Sequence, residues 1–186
     1  MAEPPAQRPN LYLVGFMGTG KSTVGRALAR KLKLEFLDSD REIEKAEDRA
    51  IAEIFATEGE PYFRDLERAF VEKGHPATGC VVACGGGLVV QPGMAEALRA
   101  RGIVASLFAT PETIVKRTSQ NKNRPLLNVA DPQARVAELL AQREPHYLKA
   151  GACFMTDLRP LSEVVEHLAN FYERRARELQ AASAQA

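Results

Sequence analysis

Gly15-Phe16-Met17-Gly18-Thr19-Gly20-Lys21-Ser22 has the spacing G-x-x-x-x-G-K-[ST] of a phosphate-binding loop. Its three glycines let the backbone wrap an anion and turn N–H groups inward. Lys21 follows with an ammonium for β- and γ-phosphates, and Ser22 offers a hydroxyl to Mg²⁺. A second pair of groups, Asp38 and Asp40, stands two residues apart. If strand geometry persists there, the two carboxylates point to similar sides. One carboxylate near a metal and one near an acceptor hydroxyl is what phosphoryl transfer requires. The plainer reading makes Ser39 or Asp40 a helix N-cap. Gly85-Gly86-Gly87 is followed by no Lys-Ser pair, so it is not a phosphate loop. Three bare backbone positions admit a ligand closely and expose N–H donors, as a plain turn also would. Arg64 and Arg143 have the guanidinium geometry that holds a carboxylate bidentately, although an arginine is more often a surface residue. Arg124 lies in the polar run Asn121-Lys122-Asn123-Arg124-Pro125-Leu126-Leu127, where a closing segment would bring it to a transferring phosphoryl group.

These groups need elements to hold them, and the chain alternates strand and helix. Leu11–Val14 reads as a buried strand. Val24, Ala27, Leu28 and Leu32 recur at helical spacing after the loop, so a helix starts where a phosphate would sit. Leu34–Leu37 is a second strand, ending at Asp38-Ser39-Asp40. Helical patterning covers Arg41 to Phe55, with a break near Asp48, and a further helix runs from about Pro61 to Lys73, ended by Gly74. Cys80–Cys84 is a third strand running into the triple glycine. Pro92 opens a helix that stops at Gly102. Ile103–Phe108 is a fourth strand, followed by a helix capped by Thr110 with Pro111 in its first turn. Beyond the polar stretch Ser119–Ala130, Asp131-Pro132 starts a helix to about Leu148. Ala152–Met155 is the fifth strand, and Ser162 caps the last helix. Five short apolar strands separated by helices imply an α/β fold, a parallel sheet covered on both faces. In such sheets ligands bind beyond the carboxyl ends of the strands. The phosphate loop, Asp38/Asp40 and the triple glycine all fall there.

The totals exclude several classes. With 186 residues, 45% apolar and 26% charged, the chain is sized for one globular domain. A net charge of +1 provides no field for nucleic acid or an acidic membrane as partner. Apolar runs are strand-sized, and MAEPPAQRPN is not a secretory leader. We expect a loose lead-in over 1–10, a single domain over 11–175 and a flexible tail over 176–186. Cys80, Cys84 and Cys153 form neither a disulfide framework nor a zinc pattern and read as buried, reduced thiols in a cytoplasmic protein. His75, His146 and His167 are scattered and read as surface or helix-end residues.

Taken together, GFMGTGKST, FLDSD, the run Gly59, Glu60, Phe63, Arg64 and Glu67, the triple glycine, RPLL and the pair Arg143/Tyr147 resemble the shikimate kinase family in order and spacing, over about Leu11 to Phe171. The resemblance implies a P-loop NTPase-type five-stranded parallel sheet with moving lid and substrate-binding segments, the lid here at about 118–131. It implies phosphorylation of the shikimate 3-hydroxyl by ATP and Mg²⁺, on the route to aromatic amino acids. Gly18, Thr19, Gly20, Lys21, Ser22 and Thr23 would hold the ATP phosphates, with Lys21 serving catalysis. Ser22 would sit on Mg²⁺ with Asp38 beside it. Asp40 would bind the shikimate hydroxyls and orient or deprotonate the attacking one. Arg64 and Arg143 would grip the shikimate carboxylate, with Gly85, Gly86 and Gly87 as the wall. Arg124 would be the lid arginine, and Arg117 and Arg159 would border the adenine. The expected protein is a monomer that takes a small-molecule substrate, without nucleic acid or membrane. Two other readings remain at this stage. One is a related small-molecule kinase, such as a gluconate kinase, against which Arg64, Arg143 and the triple glycine speak. The other is a nucleotide-binding regulatory module, which would need a partner surface that no basic or amphipathic feature marks.

Overall fold

The computed structural model describes residues 8–119 and 131–184. The strands are β1 (Asn10–Val14), β2 (Glu35–Asp38), β3 (Cys80–Ala83), β4 (Gly102–Phe108) and β5 (Ala152–Met155). They form one sheet in the order β2-β3-β1-β4-β5, and every pairing is parallel. β1 is therefore the central strand, and all five of its residues are buried. Successive side chains alternate between two cores. Leu11 and Leu13 enter one core with Val81, Ala105 and Leu107, while Tyr12 and Val14 enter the other with Val82 and Val104.

The first core is closed by α1 (Lys21–Leu32) and α8 (Leu161–Ala184), through Val24, Leu28, Leu32, Leu168 and Tyr172. Gly25 lets α1 approach the sheet, because a Cβ there would lie 2.6 Å from the Phe36 ring. The second core is closed by α2 (Ser39–Glu47), α3 (Ile51–Thr57), α4 (Gly59–Lys73), α5 (Met94–Arg101), α6 (Pro111–Thr118) and α7 (Pro132–Ala150). Parallel strands buried on both faces need apolar side chains facing both ways, which is why β1, β3 and β4 read as largely apolar runs, with Asn10 and Ser106 as the buried polar exceptions.

Several boundaries differ from expectation. The helical patterning over Arg41–Phe55 starts earlier, at Ser39, while its expected break is found at Asp48, which adopts left-handed φ 51°. Strand geometry thus ends at Asp38, and Asp40 lies in a helix's first turn. Asp38 is the N-cap residue of α2, with no side-chain cap bond. α5 starts at Met94, after Gly93 with φ 79°, rather than at Pro92. α7 runs two residues past Leu148, and α8 begins one residue before Ser162. α8 also continues past 175 through Ala184, with Ala176 buried against the core. An alanine-rich segment has high helical propensity and so extends a helix that is already anchored. Cys80 and Cys84 are buried, but Cys153 is exposed on the edge strand β5. His75 is not a plain surface residue, since its ring packs 5.6 Å from Tyr12 and 5.1 Å from Phe70. Among the described residues no helix is long and apolar enough to cross a membrane.

Candidate active site

The run from Gly15 to Gly20 leaves β1 and enters α1. Gly18 (φ 78°) and Gly20 (φ 91°) take backbone angles that only glycine adopts cheaply. Lys21 folds back over the loop, donating to the carbonyls of Gly15 (2.8 Å) and Phe16 (2.9 Å). Ser22 donates its hydroxyl to Asp38 Oδ2 at 2.7 Å. This joins the start of α1 to the end of β2. Two oxygen donors beside a phosphate cradle suit Mg²⁺, which takes few protein ligands and completes its shell with phosphate oxygens and water. Among the described residues no group of three or more His, Cys, Asp or Glu side chains forms a dedicated metal cage. Thr19 is buried in the loop and Thr23 is exposed on α1.

The triple glycine leaves β3 and binds three parts of the crevice together. A Cβ on Gly85 would lie 2.7 Å from both Asp40 Oδ1 and Glu67 Oε1. One on Gly87 would lie 2.7 Å from Arg64 Nη1. Gly86 lies against the phosphate loop, where a Cβ would be 3.6 Å from the Met17 nitrogen. Its carbonyl accepts the Tyr147 hydroxyl at 2.6 Å, which ties in α7. Gly85 in turn donates its N–H to Ser39 Oγ at 2.8 Å, fixing the first turn of α2 and with it Asp40. A larger residue at 85 or 87 would drive into charged side chains, so the wall must be bare.

Asp40 carries a raised pKa, first because burial penalises its charge and next because Asp38 is a like charge nearby. Lys21 pulls the other way. Glu67 is 1% exposed, and burial likewise raises its pKa against the pull of Arg64. Arg64 donates from Nη1 to Glu67 Oε2 (2.6 Å) and from Nη2 to Glu60 Oε1 (2.6 Å). Gln91 Nε2 donates to the same Glu67 oxygen at 2.7 Å. Arg143 reaches the crevice from α7, its guanidinium carbon 5.9 Å from the centre of the Phe16 ring. Burial raises the Tyr147 hydroxyl to about 12, while Arg143 lowers it. Two arginines from α4 and α7 therefore flank a glycine wall, with a carboxylate and a phosphate cradle beside it.

On the far side of the loop, Arg117 donates to the Gly18 carbonyl at 3.2 Å. Arg159, in the segment before α8, instead pairs with Glu163 on that helix at 3.5 Å and is exposed. Arg124, and with it most of the stretch over 118–131, lies outside the described residues. Sequence reasoning gave Glu67 and Ser39 no part in the site, Ser39 being read only as a possible helix cap, and did not mention Gln91. For Glu67 there was a signal, since it stands three residues after Arg64, where helical side chains meet. Ser39 and Gln91 left none, because their partners lie 46 and 24 residues away.

The shikimate kinase family model matches residues 17–173. The shikimate kinase of Caldanaerobacter subterraneus subsp. tengcongensis is 43% identical over 163 residues, 88% of this chain and 95% of that protein. The shikimate kinase of Pseudomonas syringae pv. syringae is 50% identical over 157 residues, covering 84% and 91%. The structure of the Acinetobacter baumannii shikimate kinase in complex with shikimate aligns with TM-score 0.83 at 39% identity, over 90% of this chain and 94% of that one. A gluconokinase from Sinorhizobium meliloti aligns with TM-score 0.63 at 19% identity, over 95% and 98%, which shows the shared fold alone.

Proposed function

The chain belongs to the shikimate kinase family, and on that premise we propose how it transfers the γ-phosphoryl group of ATP to the 3-hydroxyl of shikimate, giving shikimate 3-phosphate and ADP. The observation that carries this reading is the convergence at Gly85–Gly87 of a phosphate loop, a buried carboxylate and two arginines from separate helices. Lys21 leaves the Gly15 and Phe16 carbonyls for the β- and γ-phosphates, and backbone N–H groups of Gly18 to Thr23 hold the rest. Ser22 and Asp38 would hold Mg²⁺, which would neutralise charge on the β- and γ-oxygens. Arg64 and Arg143 clamp the shikimate carboxylate. That grip turns the ring so that its 3-hydroxyl meets Asp40. Asp40 accepts the hydroxyl hydrogen and aims the oxygen at phosphorus. The bare wall of Gly85, Gly86 and Gly87 lets the ring approach. Arg117 borders the nucleotide from the Gly18 side, and Arg124, outside the described residues, is assigned to ATP on the family resemblance alone. Arg159 is assigned no part, since from the segment before α8 its guanidinium turns to Glu163 on that helix.

The experiment that tests the reaction is ADP release with ATP and Mg²⁺, comparing shikimate, gluconate and neither. Strong stimulation by shikimate alone is the expected result. Stimulation by gluconate would move the chain to the other kinase class, and none by either would favour a regulatory nucleotide switch.

Asp40 also sets a pH dependence. A carboxyl whose folded pKa is raised binds more protons folded than unfolded, between its ordinary value of 3.8 and its folded value. Through that window stability falls as pH rises, and above it the whole penalty is present. Asp40→Asn is therefore expected to melt higher than wild type at neutral pH. The gain should shrink in acid and vanish below the ordinary aspartate range. Melting curves from pH 3 to 8 check this, and a gain independent of pH would refute it.

A further inference from the structure

The segment that follows β5 touches the phosphate loop through one buried hydroxyl. Thr156 is 7% exposed, and its N–H donates to the Phe108 carbonyl at 2.9 Å. Its Oγ1 lies 2.7 Å from the Thr19 carbonyl and 3.1 Å from that of Phe108. A hydroxyl has one proton to give. The Thr19 carbonyl is the nearer acceptor, at 2.7 Å against 3.1 Å, so it takes the proton. Arg117 completes the joint, donating from Nη1 to Thr156 Oγ1 (3.1 Å) and from Nη2 to the Thr156 carbonyl (3.0 Å).

We propose that Thr156 is a positioning residue for nucleotide binding, which aims a phosphate-loop amide by holding the carbonyl on the other side of the same peptide. The Thr19 C=O and the Gly20 N–H belong to one planar trans peptide, in which they point in opposite directions. Anchoring the carbonyl outward on Thr156 turns the Gly20 N–H inward, toward the anion. Gly20, with φ 91° and no side chain, has no intrinsic preference strong enough to fix that plane itself. The bond therefore supplies an orientation that the loop's own sequence leaves free. Arg117 is linked to the same hydroxyl, so the strap after β5, the loop and the residue assigned to border the nucleotide move as one unit. This inference rests on the proposed reaction only in taking ATP as the nucleotide.

The test compares Thr156→Val, which keeps the shape and removes the hydroxyl, with Thr156→Ser, which keeps the hydroxyl. ADP binding to the purified protein is measured by calorimetry, and KM for ATP and for shikimate by ADP release. The valine variant is expected to bind ADP about tenfold more weakly and to raise the ATP KM by a similar factor, the effect of losing one buried hydrogen bond. Its shikimate KM should stay within about twofold, and serine should restore nucleotide affinity. Unchanged ADP affinity in the valine variant would overturn the proposal. So would equal losses toward both substrates, or a serine variant as weak as valine, since these mark a packing role. If valine does not fold, Thr156→Ala takes its place in the same comparison. A wild-type protein that binds ADP but ignores shikimate would refute the reaction and leave the Thr156 measurement intact.

Discussion

Asp40→Asn is expected to lower kcat about 10²- to 10⁴-fold while leaving ADP affinity within about twofold of wild type. Asparagine keeps the shape of the side chain and its place beside Gly85. It loses the anion that accepts the hydroxyl hydrogen and stabilises a more nucleophilic oxygen. The groups assigned to the nucleotide, Lys21, Ser22 and the loop amides, hang on α1 and β1, so binding before chemistry is untouched. Steady-state turnover together with calorimetric ADP binding separates the two effects. Near-normal turnover would remove Asp40 from the chemistry, and a parallel loss of ADP affinity would make it a structural residue. The same side chain is the one whose removal should stabilise the fold. A buried carboxylate kept ionised beside Asp38 is unfavourable for folding and useful only when substrate is present.

Arg64→Ala is expected to cut kcat/KM for shikimate about 100-fold or more, with the ATP KM within about twofold. Two losses add. The substrate carboxylate loses one of two bidentate partners, and Glu67, 1% exposed, loses its charge partner and retains the Gln91 amide. A buried acid left in that state takes up a proton, because burial already raises its pKa and Arg64 is the main opposing influence. Arg64→Lys should recover little. One ammonium cannot reproduce the fork that now reaches both Glu60 and Glu67. Kinetics with each substrate varied in turn decide the matter, and equal rises in both KM values would sink the carboxylate-clamp role.

What was readable in the sequence follows physical range. Gly15 to Ser22 works through contiguous backbone, so its spacing alone announced both a cradle and the helix behind it. The inner strands were the most visible because a parallel sheet buried on both faces writes near-continuous apolar runs, as Leu11–Val14 and Cys80–Ala83 do. Boundaries were less visible. The break at Asp48 was readable, but the start of α2 at Ser39 was not, because Asp38-Ser39-Asp40 is polar and carries no helical periodicity of its own. The end of α8 was hidden because AASAQA reads as tail and as helix equally well by composition. The two arginines became meaningful only through family resemblance and then through space, since α4 and α7 meet at the glycine wall from opposite directions along the chain. Thr156 left no local sign, being separated from Thr19 by 137 residues. An ordinary threonine at a strand end has the same neighbours in sequence whether or not it holds a loop.

The sheet divides the molecule into unequal halves. Every side chain placed in the carboxylate clamp or at the acceptor hydroxyl lies on the face covered by α2 to α7, whereas the pairing of α1 with α8 through Leu28, Leu32, Leu168 and Tyr172 includes no residue assigned to a ligand. Inherited variation should therefore act through different currencies on the two sides. A change on the wall side alters what each molecule does per second. A change in the α1/α8 packing, clear of Lys21 to Thr23, alters how many molecules escape proteolysis, each still working at full speed. For a cell, the first kind resembles a slower enzyme that no amount of transcription improves cheaply. The second resembles a lower gene dosage, and more expression or a milder temperature offsets it.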